Sequence, residues 1–131
     1  MSKYVYPAIF QPEENGGYSV IFPDLEGCYT CGDDLTDSIY MAEDVLAFTL
    51  YDYEKENRAI PTPSELSALD ASNGFVNFIA CDTLEYQKKN NNRAVKKTLT
   101  IPEWINEAAV KADINFSQLL QDALKEKLNL S

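Results

Sequence analysis

The sequence predicts an α+β protein in two modules, a β-β-β-α-β unit followed by a β-α-α unit. Three observations carry that expectation. Strand-like runs crowd the first third of the chain, the apolar period lengthens from two to about 3.6 near Asp34, and the polar stretch "KKNNNR" (88–93) divides two charge regimes. A chain of 131 residues has room for one ordinary domain and a very small one. Its 45% hydrophobic and 11% aromatic content is too apolar for a disordered chain, despite a formal net charge of -10.

In the first module (1–87), "KYVYPAIFQ" (3–11) and "GYSVIFPD" (17–24) are rich in Tyr, Val, Ile and Phe, and "PEENG" between them is turn material. The pair reads as a hairpin. A third short strand, "CYTC", follows the turn "PDLEG". Then Ile39, Ala42, Leu46, Leu50 and Tyr53 recur at helical spacing, with Glu43, Asp44, Asp52, Glu54 and Glu56 mostly off that stripe. Asp34 and Asp37 have the spacing of a capping box, with Asp in place of the usual Glu. The helix is expected to end near Arg58, because the prolines of "IPTPSEL" cannot continue it. "GFVNFIACD" (74–82) reads as a strand apolar enough for a sheet interior, and "TLEYQKK" as one or two helical turns. One long helix over one face of a small, largely antiparallel sheet is the economical packing.

The stretch 88–93 has no apolar periodicity and is the expected linker. In the second module (94–131), "AVKKTLT" alternates: Val95, Lys97, Leu99 and Ile101 share one face, and Lys96, Thr98 and Thr100 share the other. Pro102 suits a first helical turn, so "PEWINEAAVKA" follows as a helix with Ile105, Ala108, Ala109 and Ala112 inward. A second helix starts in "DINFSQLLQDALKEKLNL", with Asn115 or Ser117 as cap and Leu120, Leu124 and Leu128 as an i, i+4 stripe. A module of this size is too small for a lone hydrophobic core, and its strand has no partner within it. Two chains that pair these strands antiparallel and pack their four helices would solve both problems, so a homodimer through Leu99, Ile101, Leu120 and Leu124 is expected.

Charge and cysteines narrow the function classes. Residues 1–87 carry sixteen Asp and Glu against Lys3, Lys55 and Arg58, whereas 88–131 carry eight Lys and Arg against five acids. Such asymmetry suits different partners for the two halves. No apolar run approaches the ~20 residues of a membrane span, and the N-terminus lacks the pattern of a signal peptide, so a cytoplasmic protein without a membrane partner is expected. Cys28, Cys31 and Cys81 suit a reducing compartment. The C-x-x-C pair lies in a short strand between turns, not at a helix start, and with no histidine in the chain it reads as structural rather than as a redox or zinc motif. Neither a cofactor nor a metal is expected.

A two-stranded ribbon fits the DNA major groove, where Lys96, Thr98 and Thr100 from each chain would meet base edges. The helix opening at Asn115–Ser117 offers amides to a phosphate, and Arg93, Lys97 and Lys111 would add salt-sensitive contacts. "KKTLTIPEWI…FSQLLQDALKEKL" resembles a ribbon-helix-helix DNA-binding domain. The run "YPAIFQPEENGGYSVIFPDLEGCYTCGDDLTDSIYMAEDVL", followed by "IPTPS", resembles the HicB-type antitoxins of HicA–HicB toxin–antitoxin systems. The two resemblances together cover nearly the whole chain. They imply a truncated ribonuclease-H-like fold that binds a toxin, and a tail that binds operator DNA and represses its own operon. The implied toxin is a small, basic messenger-RNA-cleaving ribonuclease with a catalytic histidine, held inactive by occlusion. On that basis the toxin contacts are expected at Asp24, Glu26 and Tyr29 of the "FPDLEG" turn and at Glu43 and Asp44 of the long helix. The helix start "DDLTDSIY" departs from the Glu-Glu-Ala more often found there, which puts the contacts of Asp37 and Ser38 in question. Self-association of the first module would build a higher-order oligomer.

Two other readings compete. A two-metal nuclease would need converging carboxylates; Asp24, Glu26, Asp33 and Asp34 are candidates, but they sit in turns and a cap, where acids are common for local reasons. With no histidine there is also no Ser–His or Cys–His pair, so catalysis is not expected. A free-standing repressor with an acidic sensing or oligomerisation domain would bind DNA in the same way.

Overall fold

The structure is a computed structural model describing residues 2–130. It divides into two compact units, residues 1–93 and 94–131.

In the first unit, strands β1 (Lys3–Pro12), β2 (Tyr18–Ile21), β3 (Tyr29–Gly32) and β4 (Phe75–Asp82) form one antiparallel sheet in the order β3-β2-β1-β4. Helix α1 (Leu35–Lys55) lies on one face, and α2 (Thr83–Asn90) follows β4 directly. The alternation of β1 explains the core. Tyr6, Ala8 and Phe10 point to α1, where they meet Val20 of β2, Ile79 of β4 and the helix residues Ala42, Leu46, Leu50 and Tyr53, all buried. Burying each large member of this cluster is worth roughly 1.5–3 kcal/mol. Phe22, Leu25 and Cys28 of the β2–β3 turn close one end of the core, and Phe75 stacks on Phe10 with centroids 5.1 Å apart.

Both ends of α1 follow from local chemistry. The Asp34 carboxylate accepts from the Asp37 amide at 2.8 Å, while the Asp37 carboxylate accepts from the Asp33 amide at 2.9 Å. The reciprocal cap of the sequence reading is therefore present, displaced by one residue on its second arm. At the far end Asn57 takes a left-handed φ of 56°, and the Asn57 and Arg58 amides donate to the Glu54 and Tyr53 carbonyls. This is a Schellman stop, with Asn supplying the conformation usually left to Gly. Arg58 then lies over the Tyr53 ring, 3.9 Å from its centroid.

The first unit corrects two expectations. β4 is an edge strand and not an interior one: Phe78 is 51% exposed and only Ile79 is buried. Its apolar residues are many because they serve two faces, the core and the open side of the sheet. On that open side the register aligns Tyr29, Ile21, Ile9 and Val76 in a row across all four strands. In addition, α2 runs to Asn90, past the expected linker start at Lys88, because Tyr86 packs against Phe48 and Tyr51 of α1 and extends the helix.

The second unit contains α3 (Glu103–Lys111) and α4 (Phe116–Leu128). Asp113, at a left-handed φ of 59°, turns the chain between them, and its amide and that of Ile114 close a second Schellman stop on Val110 and Ala109. Asn115 caps α4 by accepting from the Gln118 amide at 3.0 Å, which settles the alternative between Asn115 and Ser117. Residues 91–102 carry neither helix nor strand, so "AVKKTLT" has no ladder partner among the described residues. No described residue of this unit is buried: Leu99 is 67% and Trp104 72% exposed.

Candidate functional site

The second unit is an apolar groove in search of a lid. Lys97, Leu99 and Ile101 of the extended segment and Phe116, Leu119, Leu120 and Ala123 of α4 line an open groove of about 520 Å³. Lys96, Thr98 and Thr100 are exposed and are not among its walls. The alternation read from the sequence thus separates an apolar side from a Lys-Thr-Thr side, and Lys97 falls on the apolar side, apart from Lys96, Thr98 and Thr100. Leu120 is half-buried and Leu124 is 51% exposed, outside the groove. Arg93 is exposed just before the unit begins. Ser117 lies in the first turn of α4 and on the groove wall.

In the first unit the expected toxin contacts do not form one cluster. The Asp24 carboxylate accepts from both the amide (3.0 Å) and the hydroxyl of Ser64, so it ties the β2–β3 turn to the segment before β4. Glu26 is exposed on the same turn. Tyr29, 68% exposed, edges a shallow depression on β2 and β3. Glu43 and Asp44 instead line a groove of about 560 Å³ between α1, the end of β4 and α2. Tyr40, Met41, Asp82 and Tyr86 share that groove and were not singled out in the sequence. Tyr40 and Ala47 stand at i−3 and i+4 from Glu43, so a stripe beside the buried one was readable in α1; the contribution of α2 was not.

The cysteines are free. Burial pushes the Cys28 thiol up, and burial, followed by the charges of Asp82, Glu54 and Glu43, pushes Cys81 up to about 12. Both are therefore poor nucleophiles, while the second member of the C-x-x-C pair, Cys31, is exposed on β3. Among the described residues no group of three Cys, Asp or Glu is placed to hold a metal. Asp33 and Asp34 belong to the α1 cap, and Asp24 belongs to the Ser64 tie. Among the described residues no helix is long and apolar enough to cross a membrane.

The chain thus combines an α+β unit, built on a four-stranded antiparallel sheet, with a helical unit in which no described residue is buried. The family model described as "HicB_like antitoxin of bacterial toxin-antitoxin system" matches residues 6–124, and the chain belongs to that family. Antitoxin HicB 1 of Photorhabdus laumondii subsp. laumondii is 40% identical over 58 residues, which is 44% of this chain and 37% of that protein. The chain thus spans well under half the length of that curated relative. Among solved structures, a toxin–antitoxin complex from Streptococcus pneumoniae contains a chain 28% identical, with a TM-score of 0.63 over 95% of this chain and 99% of that one. The Burkholderia pseudomallei antitoxin HicB shares the fold, with a TM-score of 0.53 at 16% identity over 95% of this chain and 98% of that one.

Proposed function

We propose that this protein is the antitoxin of a HicA–HicB-type pair. Its first unit, a truncated ribonuclease-H-like domain, binds a small basic messenger-RNA-cleaving toxin and covers the toxin's RNA-binding face. Its second unit dimerises as a ribbon-helix-helix domain and binds operator DNA to repress its own operon. The observation that carries the reading is the family match, which runs through both units. Physical features support each half. The net charge of -10 resides in the acidic first unit, which favours fast encounter with a basic partner. None of the described residues of the second unit is buried, and a second copy laid strand to strand over Leu99, Ile101 and Leu120 would supply the missing core. Such a ribbon presents Lys96, Thr98 and Thr100 outward, as major-groove readers of this class do. Both activities are binding events, so the reading requires no catalytic residue, metal or cofactor.

The test is co-expression. The reading expects a short basic protein encoded beside this chain, which should arrest growth when expressed alone, and the chain should restore growth. Failure to restore growth, with both proteins present at equal levels, would favour a free-standing repressor whose acidic unit senses or oligomerises.

A further inference from the structure

The groove between α1, β4 and α2 differs from the rest of the acidic surface. Several acids elsewhere on the first unit are spent locally, Asp24 on Ser64, Asp34 and Asp37 in the α1 cap and Glu13 on the Ser19 hydroxyl, and others such as Glu14 and Glu65 stand exposed with no apolar groove beside them. At the groove, Asp82 caps α2 by accepting from the Leu84 amide at 2.9 Å, and Glu85 pairs with Lys88 at 3.4 Å. Glu43 and Asp44 enter no hydrogen bond or salt bridge among the described residues, yet both line the groove wall. The groove holds these four carboxylates against the single ammonium of Lys89.

Its other walls are apolar and exposed. Tyr40 is 67% and Met41 41% exposed on α1, and Phe48, 55% exposed, continues the stripe to its edge-on contact with Tyr86. Large apolar side chains left in water next to unspent carboxylates suit one kind of occupant. Arginine and lysine carry an aliphatic stem that packs on rings and a charged head that seeks carboxylate. A purely apolar helix would bury Glu43 and Asp44 without partners, which is costly, and a nucleic acid would be repelled. Beside these carboxylates, burial first and then the charges of Asp82, Glu54 and Glu43 raise the Cys81 thiol, and burial first and then Asp44 raises the Tyr86 hydroxyl.

We infer that this groove is the docking site for an arginine- or lysine-bearing segment of the basic partner protein, with the cation against Glu43 and Asp44 and its stem on Tyr40 and Tyr86. The inference rests on the antitoxin reading and narrows it. It shifts the interface away from the β2–β3 turn, where Asp24 is already committed, and onto the α1–α2 side.

Titration calorimetry of the full-length chain with the small basic protein encoded beside it tests this. Glu43→Gln/Asp44→Asn should weaken binding at least tenfold and flatten its salt dependence. Tyr40→Ala should weaken binding without changing the salt dependence. The control Glu14→Gln/Glu65→Gln removes the same charge from exposed positions of the same unit and should stay within twofold of the wild type. Matching thermal melts exclude unfolding as the cause. Equal losses in the control and groove variants would overturn the inference in favour of unspecific charge attraction. Wild-type affinity in all three variants would overturn it while leaving the antitoxin reading intact, with the open sheet face around Tyr29 and Ile21 as the next surface. No binding by the wild type would remove the antitoxin reading itself.

Discussion

Gly32 and the three cysteines show how closely single positions are specified. A Cβ on Gly32 would stand 2.4 Å from the Ser38 amide nitrogen and 2.5 Å from its Cα, where β3 runs against the first turn of α1. Ser38 cannot yield, because it is fully buried and its hydroxyl donates to the Asp34 carbonyl at 2.6 Å. Gly32→Ala should therefore cost the first unit ~1–3 kcal/mol or more, read as a lower urea midpoint at unchanged slope; an unchanged midpoint would show that α1 can shift. For the thiols, Cys31 is exposed while Cys28 is buried and Cys81 partly so. Alkylation at pH 8 should label Cys31 first, with Cys28 and Cys81 reacting only on unfolding. Equal rates at all three would contradict the packing. The raised Cys81 also fixes a sign: its contribution to stability is complete below its ordinary value of 9.0 and is lost as pH rises toward about 12, since the unfolded thiol ionises first.

At the scale of elements, the periodic ones were legible and the relational ones were not. The α1 stripe, the Asp34 cap and the three-strand start follow from spacing and turn chemistry alone. The edge position of β4 and the extension of α2 were not legible, because each depends on a neighbour. β4 reads as interior until its second side is found unpaired, and α2 gains its last turn from Tyr86 meeting rings of α1. The candidate site divides in the same way. Glu43 and Asp44 were readable as acids beside a helical stripe, but Asp82 and Tyr86 join them only through the fold. Asp24, chosen for its charge in a turn, turns out to hold Ser64.

The extended segment before α3 invites two tests at this scale. Lys96→Ala/Thr98→Ala alters exposed side chains off the apolar groove. Operator affinity in a gel-shift assay should fall at least tenfold, given ~1–3 kcal/mol for each good base contact, while neutralisation of the toxin persists. Leu99→Asp places a charge in the groove wall that a second copy would cover. It should leave a monomer by light scattering where the wild type forms the proposed dimer, and abolish operator binding together; a stable dimer would show that the unit pairs through another face.

Viewed whole, the chain joins a unit that is complete alone to one that is not. The first unit has a buried core from Tyr6 to Ile79, and its last helix is anchored by Tyr86. The second has no buried residue among those described. The account therefore predicts separable activities, with toxin inhibition in residues 1–93 and DNA binding dependent on the dimer of residues 94–131. The most direct measurement is RNA cleavage by the purified basic protein encoded beside this chain, titrated with full-length protein and with residues 1–93. The account predicts that both suppress cleavage, with the shorter form active at a similar molar ratio. Undiminished cleavage in the presence of either form would contradict it.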